Sequence, residues 1–416
     1  MSSGVTASPD QVSLGVLMAA VDRDVIDAAV AACGVGAKRS DGKLPPHVVV
    51  YLTMALCLFP DDDYEEVATK VTGSLSRFGC WNASWTVPTA SGITQARKRV
   101  GRTVMAEVFD GVAGVVATSD TRGAWLRRWR LLAIDGFEVD LPDTPANATE
   151  FGYAGSGRHR SAYPKARVVA LAECGTHAFL AAEVGPYAVG EQTLAQRLYP
   201  RLRGDELLTA DRNFYSWAAW DTAAATGAAL LWRAPTQLNL PVVAVLPDGT
   251  YLTVLINPKV RGAGRRRQIL AAAEAGHDIH PDEAHLVRVV EYDVPDREGN
   301  GTGDLIVLLS SITDSTQARP DELAAAYHER WEEETADDQL TTHLRGPGKI
   351  FRSRLPDLVH QEIWAWLTVH YALSVLIARA AEAADLDPDR ISYSRVLRLT
   401  RRTATGTAGF SPSRLD

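Results

Sequence analysis

Three carboxylates stand out by their surroundings. Asp135 follows the short apolar run Leu131–Ile134, and Asp211 follows Leu207–Ala210. Runs of that length read as buried strands. In open α/β sheets the carboxyl ends of strands face the ligand crevice, so two such aspartates can meet over one site. The third carboxylate, Glu334, lies in PDELAAAYHERWEEETADDQLTTHL, residues 320–344. There Tyr327, Arg330 and Glu334 follow the spacing Y-x-x-R-x-x-x-E. At about 3.6 residues per turn, steps of three and four put all three on one helix face. That face would offer Arg330 to a phosphate, Glu334 to a metal and Tyr327 as a hydroxyl. Transfer of a phosphodiester needs a nucleophilic oxygen, neutralisation of developing charge and a stabilised leaving oxygen. Two Mg²⁺ ions about 4 Å apart supply all three, and clustered hard oxygens hold them. Singly, each residue has a plainer reading: a strand-end aspartate caps turns, and an acidic helix is a solvated face.

The elements that would position these residues change character along the chain. Residues 12–118 carry apolar side chains at helical spacing, with Pro45 and Pro46 at one helix start and Asp61–Asp63 capping the next. Ser91 is the expected cap of a further helix bearing Arg97, Lys98 and Arg99. After Arg130 the pattern alternates. Strand-like runs at 131–134, 167–172, 178–184 and 207–210 are interleaved with helical stretches at 191–202 and 216–226, which indicates an α/β sheet. From 230 to 312 the chain turns strand-rich, with candidates at 242–246, 251–256, 286–292 and 305–309. The Arg261–Arg267 run reads as an exposed loop. Helices resume at 320–344 and 355–384. The expected organisation is an all-helical N-terminal domain (1–120), an α/β catalytic domain (121–384, with a β-rich insertion at about 232–315) and a basic C-terminal segment (385–416).

Composition narrows the class. At 416 residues with 46% hydrophobic content, the chain can bury a sizeable core in two or three regions. The stretch 48–59, read as the longest apolar run, is too short to span a bilayer, which needs about 20 apolar residues. MSSGVTASPDQVSLG has neither the basic start nor the apolar core of a signal peptide, so no membrane and a cytoplasmic location are expected. Cys33, Cys57, Cys80 and Cys174 are scattered, without zinc-site pairing, and read as reduced. A net charge of -8 is not that of a nucleic-acid binder overall, but phosphate contact depends on local patches. Basic clusters occur at Arg97–Arg99 with Arg102, Arg127–Arg130, Arg158–Arg160, Arg265–Arg267 and Arg398–Arg402. No phosphate-binding G-x-x-x-x-G-K-[ST] loop is present, and His159, His177 and His343 lack metal-ligand spacing.

In their order, LLAIDGFEVDLPDTPAN, LLTADRNFYSW and the Y-x-x-R-x-x-x-E helix resemble insertion-sequence transposases of the insertion-sequence-four type. These are DDE (Asp-Asp-Glu) enzymes with a ribonuclease H-like catalytic fold. The likeness extends through FGYAGSGRHRSAYPKARVVALAECGTH, LPDGTYLTVL and HLRGPGKIFRSRLPDLVHQEIWAWLTVHYAL. LPPHVVVYLTMALCLFPDDDYEEV and VPTASGITQARKRVG are similar to the family's helical leader. The resemblance implies Asp135, Asp211 and Glu334 as catalytic metal ligands for Mg²⁺, with Mn²⁺ as a substitute. It implies Tyr327 and Arg330 as residues near the DNA end. One position departs from the signature: where the family has lysine seven residues after the glutamate, this chain has Thr341. A neutral hydroxyl there would remove one ionic phosphate contact and lower the salt slope of binding by about one. Arg345 and Lys349 are the nearby cations that could stand in.

The leading reading is therefore a cut-and-paste transposase. It would bind the terminal inverted repeats of its own element and target DNA as double strands, in part through Arg97, Lys98 and Arg99. It would assemble as a homo-oligomer on DNA and work in the bacterial cytoplasm with the nucleoid. Two alternatives stand beside it: a catalytically impaired DNA-binding relic, to which Thr341 lends weight, and a ribonuclease H-like metal nuclease without strand transfer.

Overall fold

The first four helices start where a side chain or a proline resolves the orphan backbone donors. The computed structural model describes residues 17, 19–36, 44–76, 87–155, 157–294 and 304–405, except for the side chains of 72–76, 158, 304 and 331–334. Asp22 accepts from the Val25 N–H to open α1 (Arg23–Ala32), and Pro46 at the first position opens α2 (Pro46–Leu58). Asp63 accepts from the Glu66 N–H at 2.8 Å ahead of α3 (Tyr64–Ser76). The cap of α4 (Ala90–Val100) is Thr89 rather than Ser91, because its hydroxyl reaches the Gly92 N–H. Helix α5 (Thr103–Val112) completes this module.

Beyond it lie β1 (Trp125–Leu126), β2 (Trp129–Asp140), α6 (Pro145–Phe151), β3 (Lys165–Glu173), β4 (Ala178–Pro186) and α7 (Glu191–Leu198). Next come β5 (Glu206–Ala210), α8 (Trp217–Ala224) and β6 (Ala229–Arg233). The insertion supplies β7 (Ala244–Val245), β8 (Tyr251–Ile256), α9 (Ala263–Glu274), β9 (Ala284–Val294) and β10 (Asp304–Ser310). The chain then forms α10 (Pro320–His328), α11 (Trp331–Asp338), α12 (Pro356–Ala383) and α13 (Tyr393–Ala404). The strand order is β4-β3-β2-β5-β6-β10-β9-β8-β7. Strands β4, β3 and β2 pair antiparallel, and β2, β5 and β6 pair parallel. That is the ribonuclease H-like arrangement which the resemblance implies, with helices on both faces.

Two features differ from the sequence reading. The β-rich insertion is an extension of the same sheet, because β10 pairs antiparallel with β6. The Arg261–Arg267 run is not a loop: residues 263–274 form α9, whose Ile269 is buried with Val254 and Ala284. Ile269 and Leu270 are the two large apolar residues of α9, too few for a periodic signal.

The core runs across the expected domain boundary. Residues of α1, α2, α4, α5 and α12 form one buried cluster with Phe137, Val168 and Ala170 of the sheet. On the opposite face, Leu194, Trp220 and Trp232 pack with Leu132, Ile134 and Leu208. Among the described residues, helix α12 rather than 48–59 is the longest apolar helix. It has the length and apolarity of a membrane span, but most of it is buried inside the protein. Its even apolar distribution reflects contact on several sides. Cys33, Cys57 and Cys174 are free thiols, and Cys80 lies outside the described residues.

Candidate active site

Strand pairing brings the two aspartates together. β2 and β5 run parallel with Ile134 opposite Ala210, so Asp135 and Asp211 occupy the next register positions on strands about 4.8 Å apart. Asp211 follows the last residue of β5 and keeps an extended backbone. Asp135, by contrast, is not at a strand end. β2 continues to Asp140 along β3, with Asp135 opposite Ala170. The functional equivalent of a strand end arises because the parallel neighbour stops, which opens the sheet beside Asp135. Side-chain alternation puts Asp135 on the face of Leu131 and Ala133, and Asp211 on the face of Leu207. Those three apolar residues share one cluster with Tyr327 of α10. Both carboxylates thus face the layer formed by α10 and α11.

That layer is not one continuous helix. α10 opens on Pro320, with Glu322 accepting from the Arg319 N–H at 2.9 Å. It closes at His328, and the Arg330 N–H donates to the Tyr327 carbonyl at 3.1 Å before α11 begins. The tighter turn advances the chain in phase and carries Arg330 over the sheet. Its Nη1 lies 3.1 Å from Asp135 Oδ2, while the Gly136 N–H donates to Asp135 Oδ1 at 2.8 Å. Arg330, expected to meet a phosphate, pairs here with a candidate metal ligand and is only 8% exposed. Tyr327 is buried, so it lies under the site rather than on a DNA-facing surface. Burial pushes its phenol above the ordinary value, with Asp211 adding to the shift and Arg330 opposing it. Glu334 is the fourth residue of α11, and this helix packs on β2 and β3. The Glu334 side chain itself lies outside the described residues. Among the described residues no three His, Cys, Asp or Glu side chains group as they would around a metal ion.

Sequence reasoning passes over two further carboxylates here. Asp337 lies one turn beyond Glu334. Its Oδ1 is buried without a hydrogen-bond partner, and its carboxyl is pushed up to about 6, first by burial and then by Asp135. Its position at i+3 from Glu334 was the available signal. Glu191 begins α7 and approaches from the other side of β2. Its carboxyl is raised by burial and by Asp135 and Glu138, against the pull of Arg167. Asp135, Asp211 and Asp337 offer hard oxygen donors, the kind suited to a divalent ion.

The cations sort differently from the sequence expectation. Arg97 is fully buried; its guanidinium donates to Gln361, the Tyr64 hydroxyl, Ser353 and the Leu358 carbonyl. It fastens α4 to α12 and is withdrawn from any DNA. Lys98 and Arg99 are exposed. Arg130 is enclosed by Glu173, Asp205 and Glu206, and Arg265 pairs with Glu283. Thr341 lies in a π-helical segment, Gln339–Leu344, and its hydroxyl donates to the Asp337 carbonyl at 2.8 Å. Both nearby cations are engaged elsewhere. Lys349 pairs with Asp61. Arg345 sits over the Phe351 and Trp366 rings, and burial lowers its pKa.

Comparison with known proteins gives the site its context. The family described as "Transposase DDE domain" matches residues 128–371. The chain belongs to this transposase family. Residues 11–110 also match "Insertion element 4 transposase N-terminal", which fixes the insertion-sequence-four type. The Escherichia coli K12 transposase InsG for insertion sequence element IS4 is 24% identical over 398 residues, 95% of this chain and 84% of the relative. The putative transposase InsZ of the same organism is 29% identical over 205 residues, 48% of this chain and 64% of that one. A cryo-EM structure of the piggyBac transposase synaptic complex with hairpin DNA aligns with a TM-score of 0.47 at 8% identity, over 94% of this chain and 79% of that chain. DDE transposases use divalent metal, and the oxygen donors around Asp135 and Asp211 fit that use.

Proposed function

We propose that this transposase binds the terminal inverted repeats of its insertion sequence as double-stranded DNA, cleaves at the element ends and transfers the freed 3′ end to target DNA. The supporting observation is the parallel register of β2 and β5, which sets Asp135 beside Asp211 under the helix that bears Glu334. These three residues would hold Mg²⁺, or Mn²⁺ in its place. A divalent ion held there neutralises charge on the phosphodiester and makes the attacking hydroxyl more acidic. The residues of the chain do the rest. Arg330 pairs with Asp135, and a bound phosphate would compete for its guanidinium. Tyr327 fixes the Arg330 side chain from below, with its ring centroid 6.0 Å from the guanidinium carbon. Gly136 holds Asp135 by its N–H. Assembly as a homo-oligomer on paired DNA ends, in contact with the bacterial nucleoid, belongs to the same reading.

The test is incubation of the full chain with duplexes carrying the ends of its flanking element, with and without Mg²⁺ or Mn²⁺. Metal-dependent nicking and joining is expected, with loss of at least about 10³-fold in Asp135→Ala, Asp211→Ala and Glu334→Ala. Cleavage that survives in any of the three removes that residue from the site. A second reading has an observation of its own: the Thr341 hydroxyl is committed to the Asp337 carbonyl. A DNA-binding relic would therefore bind ends specifically and leave them uncut under every metal condition.

A further inference from the structure

Helix α13 has two unlike faces. Tyr393, Leu397, Thr400 and Ala404 are buried, at steps of four, three and four. They dock the helix on α12 and on the π-helical segment that follows α11. Ser394 Oγ lies 3.2 Å from His343 Nδ1, and the Tyr393 and His343 rings are 6.2 Å apart. On the opposite face Arg395, Arg398 and Arg402 are exposed beside Leu399. No acidic residue occurs from Arg390 to Ala404. A strip of one sign works against its own helix, by a few tenths of a kcal/mol for each like-charged pair at three or four residues. Burial of the other face holds α13 in place regardless. In a chain of net charge -8 this strip is a local inversion.

The spacing suits a polyanion. From Arg395 to Arg402 the helix rises about 10 Å at about 1.5 Å per residue. Along one strand of a duplex that rise covers about three phosphates, at about 3.4 Å each. We infer that the exposed arginine face of α13 is a contact for the duplex DNA backbone, made without reading sequence. The docked face fixes α13 on α12 and on the segment continuing from α11, so the arginine strip is held as a rigid surface of the catalytic region. The inferred backbone contact rests on the proposed action on DNA.

The experiment compares the full chain with Arg395→Gln/Arg398→Gln/Arg402→Gln and with the corresponding triple lysine variant. Binding to a fluorescent duplex carrying the element end, and to a scrambled duplex, is measured at a series of KCl concentrations in EDTA. The glutamine variant should melt at the parent temperature, and its log K against log salt should flatten by about 2–3, at about 0.9 per phosphate lost. The flattening should be equal on both duplexes, and the lysine variant should keep the parent slope. An unchanged slope in the glutamine variant overturns the inference while leaving parental cleavage, and so the proposed function, intact. A change confined to the element end would also overturn it, since α13 would then read sequence. Loss of self-association at constant slope would make the strip an interface between copies instead. Parent protein that binds neither duplex and cuts neither overturns both readings.

Discussion

Asp337 is an anion in a place that resists anions. Burial and the neighbouring Asp135 push its carboxyl up to about 6, with Asp338 adding to the rise and Arg345 opposing it. The unfolded chain releases that proton near the ordinary aspartate value of about 3.9. A carboxyl that holds its proton more tightly when folded favours the fold while protonated, so its contribution falls as pH rises from about 4 to about 6 and stays low above that. Asp337→Asn should therefore stabilise the protein by about 3 kcal/mol above pH 7 and change little near pH 4, since each tenfold gain in proton affinity on folding is worth about 1.4 kcal/mol. Urea unfolding at both pH values, without added metal, checks this. An effect of the same size at both ends would mean that charge is not the cause. At this scale the adjacency of Asp135 and Asp211 was legible in sequence, because each follows a short apolar run and the two runs pair as neighbouring strands, although β2 runs on past Asp135. The sequence was a poor guide to Arg97, since a side chain's position inside or outside depends on a partner such as Gln361, 264 residues away. Asp337 was missed for a related reason: the acidity of 332–338 is uniform in sequence, and only the sheet beneath distinguishes one carboxylate from the next.

At the scale of elements, the sheet works with little clearance around the aspartates. A Cβ on Gly136 would lie 2.8 Å from Glu191 Cγ and 3.0 Å from its Cδ, so β2 and the start of α7 meet there by virtue of a missing side chain. Gly136→Ala should cost no more than about 1 kcal/mol, because the contact that it overpacks is with a flexible glutamate side chain. It should also slow the proposed cleavage if the backbone moves, because a shift of the residue-136 N–H would release the Asp135 carboxylate that it holds. Adding Glu191→Ala should recover most of the stability in a double-mutant cycle. A stability loss that Glu191→Ala leaves untouched would place the strain elsewhere. Periodicity located most of these elements, yet it missed how they end. β2 runs past Asp135 because β3 continues to pair with it, and the break at Glu329–Arg330 is a matter of phase that no residue in the motif announces.

At the scale of the whole molecule, the helical leader and the α/β region share one core, joined by α12 and by Arg97. Removal of a buried guanidinium with four acceptors should cost about 3–5 kcal/mol. Arg97→Ala is expected to show this in thermal or urea unfolding, whereas Lys98→Ala and Arg99→Ala on the same helix should stay within about 0.5 kcal/mol. Equal effects for the three would mean that Arg97 does not fasten α4 to α12. The change from helices to strands near residue 120 was legible in sequence as a change from helical to alternating pattern. The contact across it was not, because periodicity along a chain says nothing about which buried faces meet.

The insertion brings a mechanical property. Hydrogen bonds run without interruption from β7 through β8, β9 and β10 to β6 and then β5, the strand that ends at Asp211. A tethered flap could swing while the site stayed still. A sheet this continuous would act as a cantilever anchored beside Asp211. Torque applied by DNA at its far edge would reach the root as twist between β5 and β2, the pair whose spacing sets the distance between Asp135 and Asp211.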